Sequence, residues 1–173
     1  MTYACIAIDP PWNERGGGKI KRGADRHYPL MKTPDIIECI LTSPMWSPAD
    51  SAHLWLWATD NHLRDALTVM EALGFRYIRT MAWIKMRNGK PQIGLGQYMR
   101  GSHELCLFGV RGKTMKPAKA PPSLVIAERT KHSSKPVEAF AAIEQVSPGP
   151  RLEMFAREPR DGWDVWGNEV GAG

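Results

Sequence analysis

The residues with the clearest chemical potential stand in a row near the start of the chain: Asp9-Pro10-Pro11-Trp12. They follow the apolar run Tyr3–Ile8, which reads as a buried strand stopped by proline. Ligands of doubly wound sheets sit at the carboxyl ends of such strands. An acid, a peptide carbonyl and an aromatic in sequence suit a conjugated exocyclic amine such as that of adenine. Its nitrogen shares its lone pair with the ring, so attack on a methyl group requires it to move toward tetrahedral geometry. The Asp9 carboxylate and the Pro10 carbonyl are two acceptors for its two N–H bonds. Pro10 and Pro11 bring no N–H of their own to compete for them. Trp12 can stack on the base, a contact of about 1–3 kcal/mol. The same four residues also fit a plain strand and proline turn with Trp12 in the core.

The rest of the chain leans toward cations. Its 173 residues hold 23 Lys and Arg against 18 Asp and Glu, a net charge of +5 and a pI near 9.2. Residues 85–119 carry eight basic residues and one acid, Glu104, and residues 13–32 carry six against two. Seven tryptophans accompany them. Basic stretches of this kind suit a polyanion and would clamp nucleic-acid phosphates. They fit equally a solvated basic face over a tryptophan-rich core.

Other classes are disfavoured. No apolar run approaches the roughly 20 residues of a membrane span, and the first ten residues lack the cationic start of a secretory signal. Cys5, Cys39 and Cys106 are scattered without CxxC spacing and read as reduced thiols of a cytoplasmic protein. The five histidines show no ligand spacing, which speaks against a metal site. Gly16-Gly17-Gly18-Lys19 lacks the spacing of a phosphate loop.

The elements that must position these residues alternate between strand and helix. Strands are expected at 3–8, 53–59, 77–85, 104–110, 123–127 and 151–156. A helix is expected at 34–41 with Thr33 as cap and Pro34 in its first turn. A second is capped by Asp60 and carries Leu63, Ala66, Leu67, Met70 and Leu73 at helical spacing up to Gly74. A third opens at Pro136. Residues 13–33 and 86–101 read as glycine-containing loops. The alternation predicts one α/β domain over residues 1–173, a mostly parallel sheet with helices on both faces.

The ordered motifs resemble the DPPW-type adenine-N6 methyltransferases. That family includes the catalytic subunit of the eukaryotic messenger-RNA adenosine methyltransferase and small bacterial and phage enzymes. The resemblance rests on Asp9 to Trp12, Tyr28, the run Leu54-Trp55-Leu56-Trp57-Ala58-Thr59, and Trp83-Ile84-Lys85. It continues through His103-Glu104, Cys106 to Gly112, Ser133-Ser134-Lys135-Pro136, Ser147-Pro148-Gly149 and Trp163 to Glu169. It implies a Rossmann-like class I methyltransferase fold, circularly permuted, with the catalytic strand first and the main cofactor strand near the end. It implies S-adenosylmethionine as cofactor and nucleic acid as substrate, DNA favoured over RNA. A catalytically silent nucleic-acid-binding subunit is the competing reading, though such subunits tend to lose the acid or the aromatic of the tetrapeptide.

Carried over by position, Asp9 and Pro10 would hold the target amine, with Pro11 and Trp12 completing the catalytic turn. Tyr28, Trp57 and Lys85 would line the substrate side. Asp9, His103, Lys135, Phe155, Arg157, Arg160, Asn168 and Glu169 would line the cofactor side. Plainer roles stand beside these: His103 as a surface strand residue, Lys135 as a solvated residue before a helix, Tyr28 at a core edge. Arg157 and Arg160 could solvate a loop near Glu158 and Asp161, and Asn168-Glu169 could form a simple turn. Eight residues precede Asp9, fewer than the eukaryotic relative uses to seat the cofactor adenine. No separate target-recognition domain is visible. Specificity is therefore expected to be short, relaxed, or supplied by a second subunit, and the expected protein partner is a second copy (a homodimer) or such a subunit.

Overall fold

The computed structural model describes residues 1–13, 30–113, 115–129 and 134–167. Among the described residues, eight strands form one sheet: β1 (Tyr3–Ile8), β2 (Pro48–Ala58), β3 (Arg76–Arg87), β4 (Lys90–Pro91), β5 (His103–Arg111), β6 (Leu124–Glu128), β7 (Arg151–Met154) and β8 (Asp164–Trp166). The described residues also form three α-helices: α1 (Thr33–Thr42), α2 (Leu63–Ala72) and α3 (Val137–Val146). The strand order is β4-β3-β5-β2-β1-β7-β8, with β6 alongside β3.

Strand β1 lies parallel to β2 and β7, β8 parallel to β7, and β6 parallel to β3. Strand β5 runs antiparallel to both β2 and β3. The mostly parallel expectation therefore holds for six strands and fails at β5 and the two-residue β4. The cause lies between β3 and β5. That segment is rich in glycine and has no helical period, so the chain cannot cross over a face and must return antiparallel.

The continuous apolar character of β1 follows from its position. Ile6 and Ile8 pack with Ile36 and Ile40 of α1 and with Ala66, Val69 and Met70 of α2. Cys5 and Ala7 face the other way, toward Ala139, Phe140 and Ile143 of α3. A strand buried on both faces loses the usual alternation with polar residues. Five of the seven tryptophans (Trp12, Trp55, Trp57, Trp83 and Trp163) are buried. Their abundance thus reflects a tryptophan-rich core rather than an aromatic surface for bases.

Element ends differ from expectation where side chains found longer-range partners. Thr33 does not cap α1, since Lys32 is the N-cap residue and the Thr33 hydroxyl donates to Asp65 at 3.0 Å. Asp60 begins a single 3-10 turn, Asp60–His62, ahead of α2, and its carboxylate reaches His103 at 3.3 Å. Strand β8 lies in the tail, where no strand is expected from the sequence. None of the described helices is long and apolar enough to cross a membrane.

Candidate active site

Strands β1, β2, β3 and β7 point the same way, and β5 begins where they end. Asp9 leaves β1 at that rim. Its side chain keeps a quarter of its surface open and contacts the Lys135 ammonium at 3.2 Å. Lys135, just before α3, also donates to Glu104 at 2.6 Å, and the other Glu104 oxygen holds Lys85 at 2.5 Å. The result is a chain of alternating charge: Asp9, Lys135, Glu104, Lys85.

Burial alone would raise the Glu104 pKa, but the ammoniums of Lys135 and Lys85 more than offset this and hold it down at about 2. Burial would likewise lower Lys135, yet Asp9 and Glu104 outweigh it and keep the ammonium charged beyond the usual lysine range. Lys135 is accordingly no solvated residue. Its ammonium also lies 5.1 Å from the centre of the Trp57 ring, a cation–π contact in a largely desolvated setting.

The tetrapeptide forms a tight turn. The Trp12 amide donates to the Pro10 carbonyl at 2.9 Å, and the Met31 amide donates to the Pro11 carbonyl. The prolines do not compete for the Pro10 oxygen, but the Trp12 N–H already occupies it. A carbonyl has two lone pairs, so one acceptor position remains. Trp12 is 5% exposed. Its indole donates to the Trp57 carbonyl at 2.9 Å and its ring stacks on His62 at 5.4 Å. His62 thus lies against Trp12 where a stacked base was pictured. A cavity of about 350 Å³ opens beside this pair, lined in part by Lys32, Thr33 and Asp65.

A second cleft, on the Asp9 side, is lined by Asp9, Ser134, Lys135, Glu153, Phe155, Arg157, Glu158 and Arg160. It gathers five of the residues assigned to the cofactor side from sequence. Phe155 follows β7 with φ of 59°, a left-handed backbone rare for a bulky residue. Such strain is often kept at functional sites, and here it turns the chain into the cleft. Arg160 donates to Glu153 at 3.1 Å and lies over the Phe140 ring. Burial raises the Glu153 carboxyl pKa, with Arg160 pulling against it.

The remaining expectations divide. His103 is tied to Asp60, outside the cleft lining. Lys85 is committed to Glu104 rather than held out toward solvent. Trp57 is 2% exposed, and its indole N–H is buried with no hydrogen-bond partner among the described residues. Tyr28, Asn168 and Glu169 lie outside the described residues. Among the described residues, no group of three metal-ligating side chains is present.

Sequence reasoning missed Glu104, Glu153 and His62 as parts of the site. Two signals were available. Glu104 is the lone acid of a basic stretch, and Glu153 sits between buried Leu152 and Met154. A carboxylate in such a place needs a partner or a function.

A mixed, largely parallel sheet with helices on both faces and a charged cleft at the strand ends is an α/β architecture consistent with a class I methyltransferase fold. The chain belongs to the MT-A70 family, which matches residues 3–169. It is 28% identical over 192 residues to the type II methyltransferase M.MunI of a Mycoplasma species, covering 97% of this chain and 78% of that protein. It is 24% identical to the N(6)-adenosine-methyltransferase MT-A70-like protein of Arabidopsis thaliana, over 98% of this chain and 24% of the relative. It is 25% identical to the human N(6)-adenosine-methyltransferase catalytic subunit METTL3, over 97% of this chain. The chain spans only 28% of that human protein.

Proposed function

We infer that this protein transfers a methyl group from S-adenosylmethionine to the N6 amine of adenine in nucleic acid. The observation that carries the reading is Asp9: an acid at the end of a buried strand, partly open, shared between the catalytic turn and the charged cleft. In this reading the fold is permuted. Strand β1 is the catalytic strand and β7 the cofactor strand, and their parallel pairing supports it by bringing Asp9 beside the turn at Phe155. DNA is favoured because the likeness spans 78% of a type II methyltransferase but about a quarter of the adenosine methyltransferases. Cys5, Cys39 and Cys106 are free thiols, which suits a cytoplasmic setting.

The cleft's side chains fit the cofactor. Asp9, Glu153 and Glu158, which line it, would accept from the cofactor's cationic and hydroxyl groups, Arg157 would meet its carboxylate, and Phe155 would give its adenine an apolar contact. When bound, it supplies an electrophilic methyl on a sulfonium. Asp9 and the free lone pair of Pro10 accept from the target amine and bend its nitrogen toward tetrahedral geometry. Lys135 fixes the Asp9 carboxylate, and Glu104 fixes Lys135. This is catalysis by position and hydrogen-bond polarisation. The surplus proton leaves the nitrogen after transfer, through Asp9 to water. The adenine must be unpaired to reach Asp9, at a cost of a few kcal/mol in a duplex.

The test is incubation with labelled S-adenosylmethionine and DNA or RNA, single- or double-stranded, followed by nucleoside mass spectrometry. N6-methyladenine formed by the wild type and not by Asp9→Ala supports the reading. Absence of methylated adenine from every substrate, with no heat of cofactor binding in calorimetry, favours the silent nucleic-acid-binding subunit.

A further inference from the structure

The hairpin after β3 carries the most exposed large apolar side chains among the described residues inside the chain. Tyr98 is 99% exposed and Met99 88%, with Leu95 and Ile93 at 68% and 54% behind them. A tyrosine and a methionine side by side in water are an unusual expense for a soluble surface. They do not sit on a slack loop. The Gly94 amide donates to Gly101 at 2.7 Å, the Gly101 amide returns to Leu95, and Arg100 donates to the Gly94 carbonyl at 2.9 Å. A Cβ on Gly94 would meet the Gly101 oxygen at 2.5 Å, and one on Gly96 would meet the Met99 oxygen at 1.8 Å. Only glycine allows this pinch, and the pinch presents Tyr98 and Met99 at the tip.

The surroundings select the occupant. Lys85, Arg87, Lys90 and Arg100 lie between Ile84 and Ser102 without one acid among them. Arg87, Lys90 and Arg100 are exposed. The hairpin is rooted at the site itself: Lys85, which holds Glu104, accepts from the Gln92 amide and donates its own amide to Ser102. It rises from the carboxyl end of β3, on the rim where Asp9 leaves β1.

We propose that Tyr98 and Met99 form a wedge that enters the base stack of a DNA duplex beside the target adenine. This rests on the adenine-methylating reading above. The cations seat the hairpin on the phosphates, and the apolar tip fills the gap left when the adenine leaves its stack. Inserted apolar side chains unstack and kink duplexes in other architectures, and one aromatic stack can change affinity by about fivefold or more.

The double variant Tyr98→Ala/Met99→Ala tests this, since both side chains are exposed and the fold does not depend on them. Labelled S-adenosylmethionine and one genomic DNA, native or heat-denatured, provide the first measurement. The variant should lose about fivefold or more on native DNA and keep wild-type methylation of denatured DNA. Relaxation of a plasmid by topoisomerase in the presence of protein provides the second. The wild type should leave the plasmid underwound and the variant should not. An unchanged native-to-denatured ratio, or equal unwinding by both proteins, overturns the wedge. So does an unchanged ratio with a lower sedimentation mass, which would mark the tip as a contact between copies. A wild type that unwinds DNA but methylates neither form overturns the activity while leaving the wedge standing.

Discussion

Glu104→Gln removes one charge from the centre of the Asp9–Lys135–Glu104–Lys85 chain while nearly preserving shape. Glu104 is held at about 2 against an ordinary value of 4.5. At about 1.4 kcal/mol per unit, that corresponds to roughly 3 kcal/mol of net stabilisation at neutral pH. Glutamine can still accept from one ammonium, but its own NH₂ then faces the other. Lys85 can relax toward solvent, since a quarter of its side chain is exposed, whereas Lys135 keeps Asp9 as its one carboxylate partner among the described residues. The expected loss is therefore about 3 kcal/mol, or a Tm lower by roughly 6–12 °C for a domain of this size. The pH dependence isolates the cause. Because the folded pKa is depressed, the stabilisation is complete above the unfolded value and fades as pH falls from about 4.5 to about 2. Urea unfolding of both proteins, followed by circular dichroism from pH 7 to pH 2, reads this directly. The gap between them should be full at pH 7 and close near pH 2. A gap of equal size at both ends would mean lost packing and would refute the charge argument, as would a variant indistinguishable from wild type at pH 7.

Four further outcomes are expected. Asp9→Asn should lower kcat for methyl transfer by at least about 100-fold, the scale for removing one preorganised hydrogen-bonding group, with unchanged circular dichroism. Lys135, whose pKa is raised, contributes stability below the usual lysine range near 10.4 that is lost at higher pH; Lys135→Met should therefore show a flatter alkaline stability profile than wild type. Charge reversal at exposed Arg87 and Lys90 should weaken nucleic-acid binding and reduce the slope of log K against log salt by about two. Lys85 is omitted from that pair because it is bound to Glu104, so its reversal would disturb the site instead. Trp12→Ala should destabilise by roughly 3–5 kcal/mol in denaturant unfolding, because a buried ring is deleted.

The order of strands and helices was legible because period and punctuation are local. Tyr3–Ile8 reads as a strand from its apolar run and terminal prolines, and the stretch between Asp60 and Gly74 reads as a helix from its spacing and closing glycine, although its first turn is 3-10. Asp9 at a strand end, and its membership in a set of ordered motifs, were equally local facts. Strand β8 was not legible, since a three-residue edge strand has too few residues to show a period. The antiparallel course of β5 follows from the path of the connection, and its one local sign is the glycine-rich, non-helical segment before β5 rather than any residue of the strand itself.

By itself the sequence determined which groups are available: a carboxylate beside a peptide oxygen, a lysine before α3, two arginines after β7 and a basic, glycine-pinched hairpin. Only the tertiary structure decided which of them meet. It placed Glu104, the one acid of a basic stretch, between Lys135 and Lys85, and it turned Trp12 inward against His62. The physical reason is that burial and pairing are non-local. Residues 9, 85, 104 and 135 become neighbours only when strands and a helix far apart in the chain end at one rim, where low solvent exposure makes each charge depend on the next.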